Sequence, residues 1–173
     1  MGETPQLFPT LFGLQAFYAH RAKLLTAREL AERGLELAQR IQDPALLLEA
    51  NHMLGYNLLY LGELTLARQH TEEGISIYRP RYHSLAFLYG GDDPGVCCLS
   101  HRAVALWILG YPERALQSAR EALSLAERLS HPLSTALANV FMAMVHQLPS
   151  RLGQGCARFA APAEARPYRQ HPR

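Results

Sequence analysis

The sequence predicts an all-α fold, a helical-hairpin solenoid of about three repeats followed by a seventh, unpaired helix. Two observations carry that prediction. Small residues recur in register, because Ala27 and Ala67, and likewise Gly34 and Gly74, are each 40 residues apart, and a period of about 35 to 45 residues marks stacked helix pairs. Apolar residues also follow the helical spacing i, i+3, i+4, i+7 throughout, with no run alternating as a half-buried strand does.

The elements follow in order. A first hairpin is predicted over Phe8 to Arg21 and Leu24 to Arg40, its second helix placing Ala27, Leu30, Ala31, Gly34, Leu35, Leu37 and Ala38 on one face. Asp43-Pro44 opens the next helix: the carboxylate caps free N–H groups, and proline at the first helical position has no N–H to lose. The second hairpin runs from Pro44 to Tyr60 and from Leu64 to Tyr78, turning at Leu61-Gly62-Glu63. Arg79-Pro80 stops it, and the long segment to Gly91 leaves room for one extra helical turn around Leu85 to Leu88.

Asp93-Pro94 repeats the cap-and-proline start and launches a helix to Leu109. Gly110-Tyr111-Pro112 then turns into a helix through Leu129, faced by Ala115, Leu116, Ala119, Ala122, Leu123 and Ala126. A seventh helix, apolar through Leu137, Val140, Phe141, Met144 and Leu148, is expected over Pro132 to Leu148. Residues 1–148 thus form the repeat domain. Residues 149–173 are expected to be a disordered basic tail, since Pro149, Pro162, Pro167 and Pro172 break helices and arginine and alanine replace large apolar residues.

Composition narrows the functional classes. The chain has 173 residues, 49% of them hydrophobic and 18% charged, which is enough apolar material for one packed domain. Its formal charge of +2 conceals an acidic body, because residues 149–173 hold five arginines against Glu164 alone. A body without a Lys/Arg stripe argues against nucleic-acid binding. Cys97, Cys98 and Cys156 make neither a disulfide framework nor a CxxC metal pair, which fits a reducing cytoplasm. The apolar stretch Leu7 to Ala19 lacks a basic leader and is interrupted by Pro9, and no apolar run approaches the roughly 18 residues of a membrane span.

The candidates for chemistry are weak. Gly90-Gly91-Asp92-Asp93-Pro94-Gly95 lacks the lysine followed by Ser or Thr of a phosphate loop, the chain's one lysine being Lys23, so a loop plus helix cap is expected. Asp92 and Asp93 likewise lack the strand context of paired metal carboxylates, and the alternating oxygen ligands of a calcium loop are missing. Cys97 and Cys98, about 100° apart on a helix, are expected to be small packing residues. The histidines at 20, 52, 70, 83, 101, 131, 146 and 171 show no i,i+4 pair and no HExxH. No catalytic residue, metal site or cofactor is therefore expected.

The Leu54-Gly55, Gly62 and Ala67 spacing resembles that of tetratricopeptide repeats. More specifically, TPQLFPTLFGLQAFYAHRAKLLTAREL, DPALLLEANHMLGYNLLYLGELTLAR and SLAFLYGGDDPGVCCLSHRAVALWILGYPERAL resemble the repeat region of bacterial fusions in which a class III adenylate/guanylate cyclase domain, or a kinase domain, precedes a predicted signalling ATPase. The resemblance spans roughly Thr4 to Leu148. It implies a piece of a regulatory repeat region, acting non-enzymatically by binding a protein or peptide in signal transduction. The rival expectations are a protein known by its parent's cyclase or ATPase activity and a nonfunctional gene remnant with its tail read from a shifted frame.

By the same resemblance, the first helix of each pair lines a concave groove, so His52, Tyr56 and Leu59, then Ser100, Val104 and Trp107, then Asn139 and His146 would face a partner peptide. The competing expectation is that Tyr56 and Trp107 pack between neighbouring helices. The uncovered apolar face of residues 132–148 is expected to favour self-association.

Overall fold

The computed structural model describes the backbone of residues 6–159 and the side chains of residues 6–147. Within them the chain is all-helical, without strands: α1 (Leu7–His20), α2 (Leu24–Ile41), α3 (Pro44–Leu61), α4 (Leu64–Ile77), a 3-10 helix (Pro80–Phe87), α5 (Pro94–Ile108), α6 (Pro112–Leu129) and α7 (Pro132–Phe159). Each α-helix packs against the next in sequence, and α1 also meets α3, α3 meets α5, and α5 meets α7. The odd-numbered helices thus form a continuous series.

The predicted starts hold at the two Asp-Pro pairs. The Asp43 carboxylate accepts from the Ala45 N–H at 2.8 Å, and that of Asp93 from the Val96 N–H at 3.0 Å. Between α3 and α4, Gly62 sits at φ +80°, a left-handed conformation that costs glycine nothing. The extra turn predicted near Leu85 is a longer 3-10 helix that brings Leu85 and Tyr89 into the main core.

Small residues line the close helix contacts. The stripes Ala27, Ala31, Gly34 and Ala38 on α2, and Ala115, Ala119, Ala122 and Ala126 on α6, are buried. At Gly55, where α3 crosses α4, a Cβ would lie 2.5 Å from Thr71 Cγ2, so any larger residue pushes the helices apart.

One boundary is corrected. The helix expected to stop at Leu148 continues through Pro149 to Phe159. Proline within a helix forfeits one backbone hydrogen bond and crowds the preceding turn, but the chain on both sides keeps its own ladder. Of the expected disordered tail 149–173, the stretch to Phe159 is therefore helical, and residues 160–173 lie outside the described residues.

Candidate functional site

A half-open recess of about 280 Å³ lies in the odd-helix series. Four helices and one loop wall it. Phe12, Gln15 and His20 come from one flank of α1, at i, i+3 and i+8, and His52, Met53 and Tyr56 from α3. Tyr89, Gly90 and Asp92 belong to the segment after the 3-10 helix, Cys97 and His101 come from α5, and Leu137 of α7 closes one side.

Aromatic contacts fix the rings. Phe12 lies 5.1 Å from Tyr89 and 6.5 Å from His52, centre to centre. The imidazoles of His52 and His101 stack at 5.9 Å with planes 17° apart, and the Tyr56 ring meets His101 edge-on at 5.5 Å. Phe141 of α7 meets the other side of His101 edge-on at 5.2 Å.

The electrostatics follow from burial. His52 Nδ1 stands 3.1 Å from the carboxylate of fully buried Glu49, whose second oxygen, Oε1, is unpartnered. Burial, followed by the charge of Asp93, raises the Glu49 carboxyl above its ordinary value, against the pull of His52. His101 is 4% exposed with its Nδ1 unpartnered, and burial, helped by His52, holds its imidazole down at about 3. The ring is therefore neutral at pH 7. Asp92 is raised by burial, opposed by His52 and His131, and its Oδ1 is buried without a partner. The Cys97 thiol is pushed well up, first by burial and then by the neighbouring carboxylates. Such a thiol is a poor nucleophile at neutral pH.

A second polar network lies beside the recess. Fully buried Asp93 accepts from Val96 N–H through Oδ1, while its Oδ2 accepts from Tyr78 OH at 3.1 Å and lies 3.0 Å from His83 Nδ1. The Asp93 N–H donates to Ser134 Oγ at 2.9 Å, and Ser134 Oγ also lies 2.9 Å from His131 Nδ1. Ser134 is fully buried, so this serine–histidine pair cannot meet a substrate; it ties the start of α7 to the start of α5. Among the described residues no group of three or more His, Cys, Asp or Glu is placed to hold a metal ion.

The expected groove residues divide. His52 and Tyr56 line the recess. Leu59, Ser100 and Val104 are buried. Partly buried Trp107 packs against the cluster of Ala103, Leu106, Ala115, Ala119 and Val145. Asn139 and His146 are exposed outside the recess, Asn139 spending its amide on the Thr135 carbonyl. The physical reason is that the recess meets each helix at a different angle, so equivalent positions on successive helices do not all reach it. Ser100 and Val104 sit 48 residues after His52 and Tyr56; from α5 the recess takes Cys97 and His101, which at 3.6 residues per turn lie about 60° round the helix from that pair. The residues that sequence reasoning passed over, Phe12, Tyr89, Asp92 and His101, carry no local motif. Asp92 reads from the sequence only as part of a loop or as a metal carboxylate lacking strand context, and His101 only as one of a scattered set.

On the outer side of α7, Leu133, Val140 and Met144 are 40 to 57% exposed, the face expected to self-associate. No described helix is long and apolar enough to cross a membrane. No protein-family model matches the sequence, and comparison with curated proteins finds no match.

Proposed function

We propose that the chain is a tetratricopeptide-like solenoid that works as a non-enzymatic module, binding a protein or peptide partner within a signalling assembly. One observation carries the reading. The first helix of each hairpin touches the first helix of the next, and the aromatic recess opens among these helices. Stacked hairpins joined through their first helices present a continuous face on which an extended or helical segment can lie. Half-buried Tyr56 supplies ring area there at little entropic cost. The sequestered state of the described chemical groups supports a non-catalytic role: Cys97, Cys98 and Ser134 are buried, and Asp93 is spent on capping.

A random-peptide library displayed on phage and panned against the folded chain tests this. Enriched peptides should lose about 2 kcal/mol or more of affinity on Tyr56→Ala, with the far-UV circular dichroism spectrum unchanged. Failure to enrich any peptide, or peptides indifferent to Tyr56→Ala, would refute the reading. Turnover of ATP or GTP that vanished on mutating Asp92 would favour the parent-activity alternative.

A further inference from the structure

The recess has an unusual balance of charge. Asp92 lines it and holds one oxygen, Oδ1, buried without a partner, and Glu49, paired with His52 through its other oxygen, holds a second. Among the described residues no lysine or arginine lines the walls, and the neighbouring imidazole of His101 is held neutral. Three aromatic side chains, Phe12, Tyr56 and Tyr89, share those walls. A carboxylate at one side and ring surfaces on the others suit a cation with an apolar body, because rings attract cations and a desolvated carboxylate gains most from a charged donor. At about 280 Å³ the space lies just under the usual range of about 300 to 1,000 Å³ for small-molecule sites. That admits one ring on a short chain.

We propose that this recess binds a small organic ammonium ion, its N–H groups donating to the Asp92 carboxylate and its apolar body lying among Phe12, Tyr56 and Tyr89. The inference needs only the recess, so it stands or falls separately from protein binding. An anion is disfavoured, since it would sit beside Asp92 with no lysine or arginine on the walls to compensate. A neutral body of the same shape gains the ring contacts and loses the charged hydrogen bonds.

The test compares three probes that share a phenylethyl body on the full chain at pH 7.5 by calorimetry and amide chemical-shift titration: 2-phenylethylammonium, 2-phenylethanol and 3-phenylpropionate. The ammonium should bind about tenfold tighter than the alcohol, and the carboxylate more weakly than either. Shifts should concentrate at Phe12, Tyr56, Tyr89 and His101. Asp92→Asn should abolish the tenfold preference and leave alcohol binding unchanged. Equal affinities, a preference for the carboxylate, no binding at all, or shifts confined to another face would overturn the proposal. Should Asp92→Asn fail to fold, the order of the three probes on the wild-type chain decides.

Discussion

The two helices of each hairpin solve different problems. The even-numbered helices are one-sided: α2 and α4 fully bury a narrow stripe of mostly small residues, Ala27, Ala31, Gly34, Leu37 and Ala38 on the first, Ala67, Thr71 and Gly74 on the second, while their remaining residues are partly buried or exposed. The odd-numbered α3 and α5 are enclosed. From Pro94 to Leu106 every residue of α5 except Arg102 is buried, and α3 buries Glu49, Asn51 and Asn57 along with its leucines. A one-sided helix declares its orientation in its sequence; an enclosed one carries apolar residues all round and does not.

Unequal sensitivity to truncation should be the largest consequence. Leu58 on α3 is 2% exposed, and Leu58→Ala should cost about 2 to 5 kcal/mol, the transfer term plus the cavity left behind. Leu66 on α4 is 41% exposed, and Leu66→Ala should stay within about 0.5 kcal/mol. Urea unfolding of both variants checks this; similar losses would break the distinction between the helices.

That distinction also explains what was legible. Helix number, the Asp43 and Asp93 caps and the Gly62 turn are local chemistry, so the sequence predicts them within a residue or two. The end of α7 is different, because Pro149 is a local stop signal that the chain overrides. The recess was half legible. The resemblance points to His52 and Tyr56, but on α5 it points to Ser100 and Val104, about 60° round the helix from the Cys97 and His101 that line the recess. Phe12 and Tyr89 reach it from elements outside the register altogether.

Next in size is the contrast between the two caps. Asp43→Ala removes a single capping bond and should cost about 1 kcal/mol. Asp93→Ala removes the equivalent bond and also strands the Tyr78 hydroxyl and His83, at about 2 to 4 kcal/mol in total. Thermal or urea denaturation should rank the two accordingly, and equal losses would mean that the Asp93 network adds nothing beyond its cap.

Glycines on the two kinds of surface should respond with opposite sign. A Cβ at Gly55 would meet the side chain of buried Thr71, whose hydroxyl donates to the Ala67 and Arg68 carbonyls and so resists moving. Gly55→Ala should therefore lose about 1 to 2 kcal/mol even after the gain in helix propensity. At exposed Gly13 of α1 nothing lies within 4 Å, and Gly13→Ala should gain about 0.5 to 1 kcal/mol. A Gly55→Ala variant as stable as Gly13→Ala would show that α3 and α4 are free to separate.

The enclosed helices should also make stability depend on pH. Burial, helped by His52, holds His101 at about 3 in the folded chain, against about 6.5 when unfolded. Between those values the unfolded chain binds a proton at this site that the folded chain refuses. The contribution of His101 is then fully present above about pH 6.5 and falls by on the order of 1.4 kcal/mol per unit as pH drops toward 3. Glu49 runs the other way: burial raises its folded value, so its contribution is greatest in acid and fades as pH rises through that value. Comparing the wild type with His101→Leu at each pH cancels most of what Glu49 does. The leucine replaces a ring whose Nδ1 has no partner, so the variant should fold. From pH 6.5 to 5.5 the wild type should lose about 1 kcal/mol relative to His101→Leu in urea unfolding. Parallel pH profiles for the two proteins would mean that water or a moving neighbour solvates His101, and that α5 is less enclosed than its burial states.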